Sequence, residues 1–180
     1  MTVVKQLDNI KDWLETEICP NFKFKRPSDD NVDATYQYEM VKPNVFILYV
    51  PPEEICKTHR VPSICIQFDD VEEKMTDAGG KLTIKLQFTT FNPGEHSEYG
   101  YTRNTEGWRD VWNFVDFIIE KIRNTEQIKD LRIVKEDGIK CGPASDNGQI
   151  PSYYPYYLAW MTFSVEYGIP SSKKDIRHLL

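Results

Sequence analysis

Apolar residues recur every three to four positions at the start of the chain. In TVVKQLDNIKDWLETEICP, Val3, Leu7, Ile10, Leu14 and Ile18 share one helical face, with Asp, Lys and Glu between them and Pro20 ending the run. This spacing predicts an amphipathic helix. PNVFILYVPP is unbroken instead, bounded by prolines and rich in β-branched and aromatic residues, which predicts a strand buried on both faces. Ile64, Ile66 and Phe68 then alternate with Ser63, Cys65 and Gln67, and Leu82, Ile84, Leu86 and Phe88 alternate with Lys81, Thr83, Lys85 and Gln87. Period two places one set on the core side and the other outward, so two half-buried strands are expected. Asp77-Ala78-Gly79-Gly80 supplies the turn that makes them a hairpin. A short strand is expected at Thr35 to Met40.

GWRDVWNFVDFIIEKIRN returns to helical spacing, with Trp108, Val111, Trp112, Val115, Ile118, Ile119 and Ile122 on a wide apolar face. Thr105 is a candidate cap, and Lys121 and Arg123 suit the last turn. Phe114 and Phe117 widen the face beyond what one sheet needs, which marks them for another helix or another subunit. Leu131 to Lys140 offers a weaker strand. In YYPYYLAWMTFSVEYG, Ala159, Met161, Phe163, Val165 and Tyr167 take one face and Leu158, Trp160, Thr162, Ser164 and Glu166 the other. Leu158 and Trp160 lie on the side that alternation reserves for polar residues, so they too are candidates for a subunit contact.

The order is helix, strand, strand, strand, helix, strand, strand. It predicts a single α+β domain over residues 1–168, an antiparallel or mixed sheet of about five strands packed against two main helices. Residues 169–180 are expected to be a mobile tail.

Composition narrows the function classes. A net charge of −6 and a pI near 5.1 argue against a dedicated nucleic-acid binder, which needs a basic stripe to neutralise phosphates. The four cysteines, Cys19, Cys56, Cys65 and Cys141, contain no CxxC pair, so zinc-ribbon and redox motifs are absent. Charges at Lys5, Asp8, Lys11 and Asp12 interrupt any apolar N-terminal run, and no stretch reaches the roughly 20 apolar residues of a membrane span. A cytoplasmic site of synthesis with reduced thiols is expected.

Catalytic signals are sparse. Glu95, His96 and Glu98 in NPGEHSEYG could form an acid/base group, but nothing nearby supplies a nucleophile, and a solvated loop between Asn92 and Glu106 is the simpler reading. Cys56 and His59 in ICKTHR form at most half of a thiol–imidazole or metal site. The chain has no phosphate-cradling Gly-rich loop, no nucleophile elbow and no HExxH. No catalytic, cofactor or metal site is therefore predicted. The acidic run Asp69, Asp70, Glu72, Glu73 with Asp77 reads as a solvated hairpin end suited to a basic partner or to repelling DNA.

The arrangement of an N-terminal amphipathic helix, PNVFILYVPP, the SICIQFDD to KLTIKLQFTTF hairpin, the GWRDVWNFVDFIIEKI helix and YYLAWMTFSVEYG resembles the tail terminator proteins of long-tailed bacteriophages, over roughly Leu7 to Gly168. The resemblance implies a virion protein at the head–tail junction. It would be assembled in the host cytoplasm as a hexameric ring that caps the tail tube, ends its polymerisation and offers the head a docking surface. It also implies partners: further copies of the chain, the tail-tube protein and a neck or head-completion protein, with genomic DNA passing through without specific binding. On that view Lys81, Thr83, Lys85 and Gln87 face the lumen or the tube, and Trp160, Leu158, Phe114 and Phe117 meet neighbouring subunits. A head-completion or neck adaptor protein is the alternative, and a small hydrolase-like enzyme a more distant one.

Overall fold

The computed structural model describes residues 3–27, 38–73, 79–97, 99–146 and 148–168. In chain order the elements are α1 (Val3–Trp13), β1 (Phe24–Lys25), β2 (Met40–Val41), β3 (Asn44–Ile47), β4 (Ser63–Glu73), β5 (Gly80–Phe91), β6 (Gly94–Ser97), β7 (Gly100–Arg103), α2 (Trp108–Asn124), β8 (Gln127–Ile128), β9 (Leu131–Ile133), β10 (Lys140–Pro143) and β11 (Tyr156–Tyr167).

The first helix forms as its period predicts and then loosens. After Trp13 it widens into a π-helical turn over Leu14–Ile18 and tightens into a 3-10 turn over Cys19–Asn21. The Thr16 hydroxyl donates to the Asp12 carbonyl at 2.8 Å, a side-chain bond that competes with the helical ladder. The widened turn keeps Leu14, Ile18 and Cys19 all buried.

The main sheet is mixed and has seven strands rather than about five, in the order β3-β4-β5-β11-β9-β8, with β10 also paired to β11. β3 and β4 run parallel; every other pair in this sheet is antiparallel. The β4–β5 hairpin is as expected, with one correction for a bulge. Phe68 pairs with Ile84 and Val71 with Leu82, so the chain at Asp69 and Asp70 carries one extra residue. That residue returns Val71 to the core face. Residues 74–78, including Asp77, lie outside the described residues, as do 169–180 and the first half, 35–37, of the strand expected at Thr35 to Met40, of which only Met40 is seen in a strand, β2.

PNVFILYVPP is not a strand buried on both faces. Only Asn44–Ile47 pairs, at the sheet edge, and Leu48 leaves it in a left-handed conformation (φ +68°) with Tyr49 65% exposed behind it. The run is apolar for a different reason: Val45 is buried, whereas Leu48 and Tyr49 face outward in the long connection to β4.

One face of the sheet carries the core. Ile64, Ile66, Leu82, Ile84, Leu86, Phe88, Met161, Phe163 and Val165 are buried against Leu7, Ile10 and Leu14 of the first helix and Val111, Val115, Ile118 and Ile122 of α2. Phe114 is a correction to the subunit-contact expectation, because it is fully buried in its own chain. Its ring centroid lies 4.7 Å from Phe22, 5.3 Å from Phe24 and 5.5 Å from Phe88. Phe117 is partly buried and meets Phe22 edge-on at 5.0 Å. The extra width of the helix face is therefore used by Phe22 and Phe24, the aromatics of a segment without clear period.

Two other expectations change. The loop after β5 folds into a separate hairpin, β6 with β7, and α2 starts behind Gly107 without a side-chain cap, so Thr105 does not fill that role. Leu131 to Lys140 is not one strand but two pieces, β9 and β10, separated by a short 3-10 turn over Lys135–Asp137.

Candidate assembly surfaces

The sheet face opposite the core is covered by neither helix, since both pack into the single core cluster. Strand register sets its content. Across β5 and β11, Lys81 faces Glu166, Thr83 faces Ser164, Lys85 faces Thr162 and Gln87 faces Trp160; across β4 and β5, Gln67 faces Lys85 and Cys65 faces Gln87. Lys81, Thr83, Lys85 and Gln87 thus lie outward together, as their alternation predicts, and all are at least partly exposed. Side-chain bonds tie the strands laterally. Gln87 Nε2 donates to Gln67 Oε1 at 2.9 Å, and Gln67 Nε2 donates to the Leu48 carbonyl at 3.0 Å. Arg132 pairs with Glu166 at 2.5 Å and Lys81 with Asp137 at 2.5 Å. The hydrogen bond between Lys81 and Asp137 holds that carboxyl below its ordinary range and pushes the ammonium above its own.

Leu158 and Trp160 sit half-buried on the same face. The indole packs on the next strand: a Cβ added at Gly142 would lie 3.1 Å from Trp160 Cζ2, so a side chain there would press the ring aside by a few tenths of an ångström. Trp160 Nε1 donates to the Pro143 carbonyl at 3.1 Å. The ring is thereby oriented and partly covered by its own chain.

The acidic residues Asp69, Asp70, Glu72 and Glu73 occupy the far end of β4, beside the start of β5 and the end of β11. Tyr167 donates its hydroxyl to Glu73 Oε1 at 2.5 Å; burial, helped by that carboxylate, pushes the phenol up to about 12.

The opposite end of the sheet gathers aromatics. There β5 ends, β11 begins, and the β6–β7 hairpin folds against them. The Tyr154 hydroxyl donates to the Pro93 carbonyl at 2.5 Å, Tyr101 reaches the same carbonyl and the Tyr154 hydroxyl, and Arg103 lies 4.9 Å over the Tyr154 ring. Tyr157 donates to the Asn104 carbonyl at 3.0 Å and Lys25 Nζ to the Gly94 carbonyl at 2.7 Å. Gly94 has φ +116°, and a Cβ there would fall 2.1 Å from the Thr102 carbonyl, so the hairpin's entry requires glycine. Around this pinned base, Tyr99 (97%), Ile150 (69%), Tyr153 (49%), Trp108 (46%) and Tyr101 (45%) remain exposed. YYPYYLAW contributes half of this corner. Its other half comes from a hairpin whose sequence has no alternation, so the juxtaposition is visible only in the tertiary structure.

Among the described residues, the sequence's chemical candidates form no metal-binding group. Cys56 Sγ donates to the Thr58 carbonyl at 3.1 Å, and the His59 ring bonds the Lys42 carbonyl through Nε2 at 2.8 Å. His96 lies in β6 and Glu95 beside it is exposed, while Glu98 lies outside the described residues. A shallow cleft of about 540 Å³ is lined by Glu15, Cys19, Met40, Val41, Pro43 and His59, but burial pushes the Cys19 thiol up to about 12 and keeps it protonated. Among the described residues no three His, Cys, Asp or Glu side chains are grouped to hold a metal ion, and no helix is long and apolar enough to cross a membrane. No protein-family model matches the chain and no curated protein does either, so what these surfaces do rests on their own chemistry.

Proposed function

We propose that the protein is a structural virion subunit that closes into a six-membered ring, caps a phage tail tube and presents the ring to the head. The observation that carries this reading is the outward sheet face that neither helix covers, joined to an exposed aromatic corner at one end. Tyr and Trp offer large rigid contact areas at low entropic cost, which suits a surface made to meet another chain. A ring requires two different patches per subunit, and the open face and the aromatic corner supply chemically distinct ones. In this reading Lys81, Thr83, Lys85 and Gln87 face the lumen or the tube, the corner with Trp160 and Leu158 meets neighbouring copies, and the acidic end of β4 faces a basic surface or passing DNA.

Native mass measurement and negative-stain imaging test the reading, with and without tail-tube protein. Closed six-subunit rings, or rings seated on tube ends that stop growing, are the expected result. A protein that stays monomeric and leaves tube elongation unchanged overturns it.

A further inference from the structure

The first helix does not simply fray at its end. Its chain widens into the π-helical turn at Leu14–Ile18 and then tightens at Cys19–Asn21, and π-helical turns are rare elements that recur at functional sites. What these turns wall is the cleft of about 540 Å³, with Glu15 and Cys19 on the helix side and Met40, Val41 and Pro43 on the strand side.

Both walls are tied down by their own chain. β2 pairs with β1, which sets Val41 opposite Phe24, and Arg26 bridges to Glu39 at 3.1 Å beside that pair. The His59 ring bonds the Lys42 carbonyl at 2.8 Å, and Asn44 Nδ2 donates to the His59 carbonyl at 2.6 Å. On the helix side Cys19 is buried, and Asn21 Nδ2 donates to the Glu17 carbonyl at 2.8 Å. The cleft is therefore formed before anything enters it, and its volume falls within the range of about 300–1,000 Å³ that small-molecule sites occupy.

Charge selects the occupant. The whole chain carries −6, but the cleft does not share that sign. Lys23 and Lys42 border it, both exposed, and the ion pairs among the described residues include neither ammonium. Glu15, the acid of the lining, is shared with Lys11 at 3.8 Å. Burial dominates the Cys19 thiol, while Glu15 and Lys42 act on it in opposite senses, so both charges reach the cleft. Two ammoniums against one carboxylate leave a positive excess that a monoanion neutralises and a phosphate dianion would exceed. Between these charges the strand wall is apolar, and Met40, 51% exposed in a paired strand, is an adaptable surface for an alkyl chain.

We propose that this cleft binds a small amphipathic anion, a carboxylate on a short alkyl body, with its head drawn to Lys23 and Lys42 and its body along Met40, Val41 and Pro43. Binding of this kind is independent of ring formation and of the tail tube.

The test titrates the full chain with octanoate and follows the Met40 and Val41 methyl signals by NMR. Saturable shifts are expected, with a dissociation constant on the order of 1 mM, the scale that about ten non-hydrogen atoms allow. Acetate, which lacks the body, and 1-octanol, which lacks the charge, should each bind more weakly than octanoate by about fivefold or more. Lys23→Gln/Lys42→Gln should weaken octanoate about fivefold, as loss of two exposed charges implies, and leave 1-octanol unchanged. Met40→Glu, which sets a carboxylate on the apolar wall, should abolish saturation, with an unchanged urea midpoint showing that the fold is intact. If Met40→Glu does not fold, the lysine variant and the comparison with 1-octanol still decide. Shifts that never saturate, or an octanoate affinity indifferent to both lysines, overturn the site. Tighter binding of octyl phosphate than of octanoate overturns the carboxylate head.

Discussion

Replacing Phe114 by Ala separates a core residue from a contact residue. The ring is fully buried and enclosed by Phe22, Phe24 and Phe88 at centroid distances of 4.7, 5.3 and 5.5 Å. Phe→Ala in a core removes the transfer energy of the ring and leaves a cavity, about 3–5 kcal/mol together. Phe88 in β5 and the stacked Phe22–Phe24 pair come from separate parts of the chain and cannot collapse inward as one, which places the loss in the upper part of that range. For a chain of this length each kcal/mol moves the melting temperature by roughly 2–4 °C, so a fall of roughly 8–20 °C is expected. Urea unfolding followed by tryptophan fluorescence measures it, with the denaturant slope unchanged if the transition stays two-state. A loss below about 1 kcal/mol with ring formation abolished would refute the core assignment, because that is how a contact residue behaves.

Tyr99→Arg and Tyr153→Arg, at the exposed aromatic corner, should leave urea stability within about 0.5 kcal/mol of the parent while weakening ring formation, read by native mass. Intact rings in both variants would move the subunit contact elsewhere. Thiol titration of the folded protein with a disulfide reagent should show Cys56 and Cys141 reacting first and Cys19 and Cys65 only on unfolding, since the last two are buried and burial raises both thiols. Rapid reaction of Cys19 would contradict its placement. Cys19 rises from 9.0 and Tyr167 from 10.0, each to about 12, so the unfolded chain loses these protons first. The stability they contribute is whole below pH 9 and is lost as pH climbs through about 12, which urea midpoints taken at rising alkaline pH should follow downward. A flat profile would show that neither group is perturbed.

Elements set by local pattern were legible in the sequence, and those set by tertiary neighbours were not. The β4–β5 hairpin and α2 follow from period two and period 3.6, because each carries its own partner face. PNVFILYVPP misleads because an apolar run does not state whether its neighbours lie on both sides; its position at the sheet edge leaves Leu48 and Tyr49 exposed. Phe114 misleads for the complementary reason, since Phe22 and Phe24, which cover it, sit in a segment with no period to announce them. Of the site, the outward row Lys81, Thr83, Lys85 and Gln87 was visible, whereas the aromatic corner joins residues some fifty positions apart through Tyr101 and Tyr154.

The sheet edges bear on how copies would join. Along β10 the amides that point inward alternate, as Ala144 N does in donating to the Leu158 carbonyl, so Cys141 and Pro143 direct their nitrogens outward. Proline has no N–H, and this edge therefore offers a neighbouring strand a single donor from β10. At the other edge β3 is only four residues long and ends at the left-handed Leu48. Beyond β9 the sheet ends in β8, which is two residues long. None of these three edges of the main sheet is a template for extended strand addition. If copies join laterally, side chains have to supply the contact, and the exposed aromatics Tyr99, Tyr101, Trp108, Tyr153 and Tyr156 sit on the segments that flank the aromatic corner, whose base hydrogen bonds from Lys25, Tyr101, Tyr154 and Tyr157 hold in place.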